Sequence, residues 1–133
     1  MPGYSGTPLI RKLGFDKVVS IVVLSAPPQY KKWLGAGAPQ MSSKFSNIPP
    51  RGIHWFVTSR LELEKKFIEV KKYLPKDGML WISWPKKTSA IKKDVDENTI
   101  RDAGLRNGLV DVKVAAVSDD WSGLKFVYRL KDR

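Results

Sequence analysis

The run Lys17-Val18-Val19-Ser20-Ile21-Val22-Val23-Leu24 sets the first constraint on the fold. It is β-branched and nearly continuous in apolar character, the pattern of a strand covered on both faces by helices. Gly52-Ile53-His54-Trp55-Phe56-Val57-Thr58 and Met79-Leu80-Trp81-Ile82-Ser83-Trp84 read the same way. Between these two lies a helix. Ser59 caps it, and Glu62, three residues on, completes a capping box. Leu63, Phe67, Val70 and Leu74 recur at helical spacing and form one apolar stripe, with Lys65, Lys66, Lys71 and Lys72 largely off it. Pro75 and Gly78 end that helix before the next strand.

The remaining elements follow from their punctuation. Thr7 before Pro8 predicts an N-cap with proline in the first helical position, for a short helix ending at Leu13 with Gly14 as its stop. A second short helix is expected from Pro28 to Leu34, closed by Gly35. Residues 36–51 are rich in Gly, Pro and Ser and leave room for one short strand near Met41 to Phe45. Asp96 caps a helix running to about Asn107, where Gly108 stops it. Val110 to Val117 and Gly123 to Leu130 are the last strands, joined by Ser118-Asp119-Asp120-Trp121-Ser122 as a hairpin. Alternating strands and helices predict an α/β fold of three layers, Rossmann-like, with a mainly parallel sheet of about five or six strands and a C-terminal antiparallel hairpin. The 133 residues fit a single domain, 1–133.

Composition narrows function mainly by exclusion. The chain has no cysteine and one histidine, His54, so thiol chemistry and a thiolate or imidazole zinc site are ruled out within one chain. The N-terminus shows no basic segment followed by an apolar stretch, and the longest apolar run is far short of the roughly 20 residues of a membrane helix. The expectation is therefore a cytoplasmic protein with no membrane partner. The 24 basic against 13 acidic residues give a net charge of +11. That field attracts polyanions. Lys outnumbers Arg, however, and Lys lacks the planar fork that reads phosphate or a guanine edge bidentately.

From Gly52 onward, the strand, long helix, Asp77-Gly78 turn, Trp-rich strand, helix and closing hairpin resemble the C-terminal half of a class I SAM-dependent methyltransferase. The whole chain resembles a family of small bacterial proteins known as a domain of unknown function. That likeness is carried by Met1 to Pro8, Leu24 to Leu34, Phe56-Val57-Thr58, Trp81 to Lys87, Gly108 to Val114 and Trp121 to Lys125. It implies a shortened methyltransferase-like α/β domain and no particular activity.

The residues argue against the methyltransferase's cofactor. A Rossmann-type site wants a glycine-rich turn after the first strand, where bare backbone N–H groups meet the ligand. Here the turn is Leu24-Ser25-Ala26-Pro27-Pro28-Gln29, without glycine and with two prolines that lack N–H groups. An acid for the ribose hydroxyls is also missing, since no Asp or Glu lies between Asp16 and Glu62. No cofactor, SAM included, is expected.

Ligands of open α/β sheets collect at the carboxyl ends of the strands. Ser25 to Gln29, Thr58-Ser59 and Trp84-Pro85-Lys86-Lys87-Thr88-Ser89 are expected to meet there, with Lys92 and Lys93 thickening the charge. The candidate ligand residues are Thr58, Ser59, Trp84, Lys86, Lys87, Thr88, Ser89, Trp121 and Lys125; no catalytic or metal residue is assigned. They point to a non-catalytic binding or regulatory module for an anionic small molecule or acidic protein, acting as a monomer or weak homodimer. The alternatives are nucleic-acid association driven by charge, and an enzyme with an unfamiliar site drawn from Thr58, Ser59, Lys86 and Asp120. His54 is expected to be a hydrogen-bonded core residue. Trp55, Trp81 and Trp84 are expected in the core, with Trp84 facing away from Trp81.

Overall fold

Ile21, Val22 and Val23 are buried as a continuous apolar run in β1 (Ser20–Leu24), which lies between two parallel neighbours. The computed structural model describes residues 7–133, so the expectations on Met1 to Gly6 lie outside the described residues. The other strands are β2 (Gln40–Ser42), β3 (Gly52–Phe56), β4 (Met79–Pro85), β5 (Leu109–Ala116) and β6 (Trp121–Tyr128). They form one six-stranded sheet in the order β2-β1-β3-β4-β6-β5. The pairs β2·β1, β1·β3 and β3·β4 are parallel, and β6 runs antiparallel to both β4 and β5.

Four α-helices among the described residues cover this sheet: α1 (Leu9–Lys12), α2 (Tyr30–Leu34), α3 (Arg60–Lys72) and α4 (Glu97–Arg106). Strand alternation divides the apolar residues between two cores. Ile53, Trp55, Leu80, Ile82 and Trp84 pack with the Leu63, Phe67, Val70 and Leu74 stripe and with Ile100 of α4. On the other face Ile21, Val23, Phe56 and Trp81 pack with Leu13, Phe15, Tyr30 and Leu34. Trp81 and Trp84 thus face opposite layers.

Several boundaries differ from those expected. The first helix starts at Leu9, because the Pro8 carbonyl accepts from the Arg11 and Lys12 amides; Thr7 is not the cap. Gly14 takes a left-handed φ of 76° as expected of a stop, but a 3-10 turn, Phe15–Lys17, follows it. That turn carries Phe15 into the core and keeps Lys17 out of β1, whose pairing begins only at Ser20. α2 begins at Tyr30 rather than Pro28, after a turn in which the Tyr30 amide bonds the Pro27 carbonyl. β2 is the short strand expected near Met41, displaced to Gln40–Ser42.

Capping is reversed between the two long helices. The Ser59 hydroxyl accepts the Glu62 amide at 3.3 Å, but the Glu62 carboxylate lies 3.7 Å from Lys66 instead of returning to Ser59. The reciprocal box is on α4, where Asp96 accepts the Thr99 amide and Thr99 accepts the Asp96 amide. In the final hairpin Trp121 is the first residue of β6, not a turn residue, and β6 ends at Tyr128 rather than Leu130. The buried Ser118 hydroxyl accepts the Asp120 and Trp121 amides, which tightens the connection and starts the strand early.

Candidate functional site

Strand order reverses around β1, which has β2 on one side and β3 on the other. In open α/β sheets such a switch point leaves a crevice beyond the strand ends. A cleft of about 1290 Å³ opens there. Trp33, Phe56, Trp121, Pro27 and Pro28 give it an apolar wall, while Lys12, Glu62, Asp119 and Asp120 contribute charge. Phe56 meets Tyr30 and Trp121 edge to face, with centroids 5.3 and 5.0 Å away, so this wall is continuous with the core beneath it.

One layer below, His54 is fully buried. The Tyr30 hydroxyl lies 2.8 Å from its Nδ1 and the Ser83 hydroxyl 2.7 Å from its Nε2. In a neutral ring one nitrogen donates and the other accepts, so this arrangement satisfies both. Burial pushes the His54 pKa down to about 3 and raises that of Tyr30. With both nitrogens occupied, His54 holds no free lone pair toward the cleft.

The turn after β1 bends sharply, with Ser25 at φ 57°, a left-handed conformation that favours glycine. Pro27 and Pro28 follow on the cleft wall, and the Tyr30 amide is spent on the Pro27 carbonyl. α2 is only five residues long. Beyond β2 the Ser42 hydroxyl exchanges hydrogen bonds with Lys44, and no acid stands there.

The expected single rim is divided. Thr58 and Trp121 line the main cleft. Trp84, Lys86 and Lys87 border a separate groove of about 340 Å³ beside Lys93, Asp96 and Glu97. Ser59 spends its hydroxyl on the α3 cap. Thr88 is exposed, while Ser89 accepts the Ile91 amide and, through its carbonyl, the Lys93 ammonium, so it closes its own loop. Lys92 is exposed. Lys125 lies in the middle of β6, directly across from Lys113. Of the four residues weighed for an unfamiliar enzyme, Thr58 and Asp120 share the cleft, whereas Ser59 and Lys86 do not line it.

Trp33 and Glu62 were not expected at the site. Tyr30 and Leu34 form the buried face of α2, and Trp33, three residues after Tyr30, turns to the cleft edge. An aromatic on the helix just after the switch-point turn was the available signal. Glu62 lines the cleft while its carboxylate lies near Lys66 instead of closing the capping box. Among the described residues, no group of three or more His, Asp or Glu side chains could hold a metal, and no helix is long and apolar enough to cross a membrane.

A family model described as "Protein of unknown function (DUF3052)" matches residues 44–130, more than half of the chain. The chain belongs to this family. No curated protein matches it. Among solved structures, it is similar to magnesium protoporphyrin IX methyltransferase from Synechocystis with bound SAM, at TM-score 0.57 and 10% identity, over 91% of this chain and 74% of that one. It is also similar to a TehB-like SAM-dependent methyltransferase from Corynebacterium glutamicum, at TM-score 0.53 and 10% identity, over 96% and 90% of the two chains. A third similar structure is PigF with SAH, at TM-score 0.61 and 9% identity, over 92% of this chain and 60% of that one. These likenesses establish a methyltransferase-like fold. The residues of the cleft do not fit the cofactor of that fold in the usual way: the turn after β1 has proline where donors are needed, and no carboxylate follows β2.

Proposed function

We propose that this protein is a non-catalytic binding or regulatory module, whose strand-end cleft takes an anionic small molecule with a flat apolar portion. The observation that carries this reading is the Pro27-Pro28 wall: the fold keeps its crevice but replaces hydrogen-donating main chain with apolar surface. Trp33, Phe56 and Trp121 favour a planar group; the cleft lining sets Lys12 against Glu62, Asp119 and Asp120, so the pull on an anion comes from the whole-chain charge of +11 and not from the lining as a whole. Two features support the absence of catalysis. His54 is locked between Tyr30 and Ser83, and the polar candidates are split between the cleft, its neighbouring groove and structural caps.

The test is a thermal-shift screen with SAM, nucleotides, polyphosphate and acyl-CoA, repeated on Trp33→Ala. An anion with a planar portion should raise the melting temperature saturably in the native protein and much less in Trp33→Ala. SAM should give no saturable shift. A saturable SAM shift would overturn the reading.

A further inference from the structure

Four lysines from four separate segments converge beside this cleft. Lys113 of β5 stands directly opposite Lys125 of β6, and Lys125 directly opposite Trp81 of β4, so all three side chains share one face of the sheet. α1 is pinned to that same face. The Trp81 indole donates to the Leu13 carbonyl at 2.9 Å, and the Lys113 ammonium to the Lys12 carbonyl at 3.0 Å. Lys12 arrives with it, and Lys86 follows the end of β4, between the cleft and the neighbouring groove that it borders, its backbone amide bonding the carbonyl of the cleft residue Asp120 at 2.7 Å.

Gathering like charges in this way opposes folding. Like charges directly opposite on a sheet are destabilising. Lys12, Lys86 and Lys125 are also half-buried, where screening by water is weakened. Burial first and Lys113 second hold both Lys12 and Lys125 below the ordinary lysine range, and Lys86 adds to the effect on Lys12. The nearby acids do not relieve this: Asp111, before the bulge that separates it from Lys113, pairs with Arg101 of α4 on the other face of the sheet, and among the described residues no ion pair joins Asp119 or Asp120 of the cleft to Lys86, Lys113 or Lys125. Among the described residues no ion pair includes Lys86, Lys113 or Lys125. The Lys12 carbonyl gives Lys113 a structural job. Among the described residues no hydrogen bond occupies the Lys125 ammonium, and solubility does not require a half-buried lysine.

We infer that Lys12, Lys86, Lys113 and Lys125 form the seat of a multiply charged oxyanion, a phosphoryl group or paired carboxylates, at one end of the cleft. This rests on the cleft being a ligand site, since Lys12 lines both the cleft and the lysine cluster. It moves the anion from the Lys86-Lys87 pair to a sheet-face site that Lys87 does not join. Ammonium groups are point charges without a fork, so the seat selects for charge more than for shape.

The experiment measures thermal unfolding of the native protein, Lys125→Gln, Lys113→Gln/Lys125→Gln and Trp33→Ala against sodium pyrophosphate and sodium citrate at constant ionic strength. Pyrophosphate should stabilise the native protein saturably. The double variant should need at least about ten-fold more for the same shift, because charge-assisted hydrogen bonds are lost. Without ligand, Lys125→Gln should melt no lower than the native protein, since a repulsion is removed. A matching response to citrate identifies a seat that reads charge alone; a response to pyrophosphate alone identifies a phosphoryl seat. No saturable shift in the native protein, an unchanged response in the double variant, or a lower melting point for unliganded Lys125→Gln would each overturn the inference. If Trp33→Ala keeps its pyrophosphate shift but binds no planar ligand, the lysine seat stands. If native and Trp33→Ala proteins bind planar anions alike while pyrophosphate responds as expected, only the apolar-wall reading fails.

Discussion

His54 illustrates how far packing can move a residue from its usual behaviour. Its pKa of about 3, against 6.5 for an unperturbed imidazole, means the unfolded chain takes up a proton at acid pH that the folded chain refuses. The group's contribution to stability is therefore complete above about pH 6.5 and is lost as pH falls toward about 3, at a limiting slope of about 1.4 kcal/mol per pH unit. NMR of the imidazole should show no titration between pH 5 and 8; a midpoint near 6.5 would contradict the buried network. Removing one partner by Tyr30→Phe should cost about 1–3 kcal/mol in urea unfolding, because a buried ring nitrogen loses its mate. That His54 is a core residue was legible from its place between apolar strand neighbours. Its partners were not, since Tyr30 and Ser83 are 24 and 29 residues away and meet it only through sheet order and the docking of α2.

Element boundaries depended on whether the deciding interaction was local. The α3 stripe and the Gly108 stop could be read because helix period and a φ of 85° are properties of neighbouring residues. The start of β6 could not, because it is set by the Ser118 side chain accepting the Trp121 amide and by the pairing of Trp121 with Pro85. α4 shows the same dependence on distant neighbours. Gly104 would ordinarily be a weak point in a helix, where alanine is preferred by about 1 kcal/mol. Here a Cβ at Gly104 would run into the Phe126 ring of β6. Gly104→Ala should therefore destabilise the protein by about 1–3 kcal/mol, as overpacked cores do, despite its better propensity. Chemical denaturation measures the difference, and a stabilised variant would show that α4 can lift off β6 at little cost.

At the level of the whole molecule, the layer architecture was implied by alternating apolar strands and helices, but the site depends on one insertion that the chain order does not reveal. β6 lies between β4 and β5, which sets Trp121 beside Pro85 and closes the cleft, while Lys87 falls in the next groove. The same topology leaves β5 at the sheet edge, where Val112 and Val114 are 54% and 55% exposed and a bulge breaks the regular pairing. Net charge is a property of the same scale. With +11 and few arginines, retention on immobilised polyanions should fall steeply with salt and show no preference among nucleic-acid sequences. A reproducible sequence preference in competition binding would instead favour nucleic-acid recognition. The Tyr30–His54–Ser83 chain adds a mechanical consequence. A five-residue helix has too few turns to hold itself together, yet α2 is anchored through this chain to the two central strands. A guest should thus find a stiff doorway already built, and little of its grip would be consumed in arranging the frame.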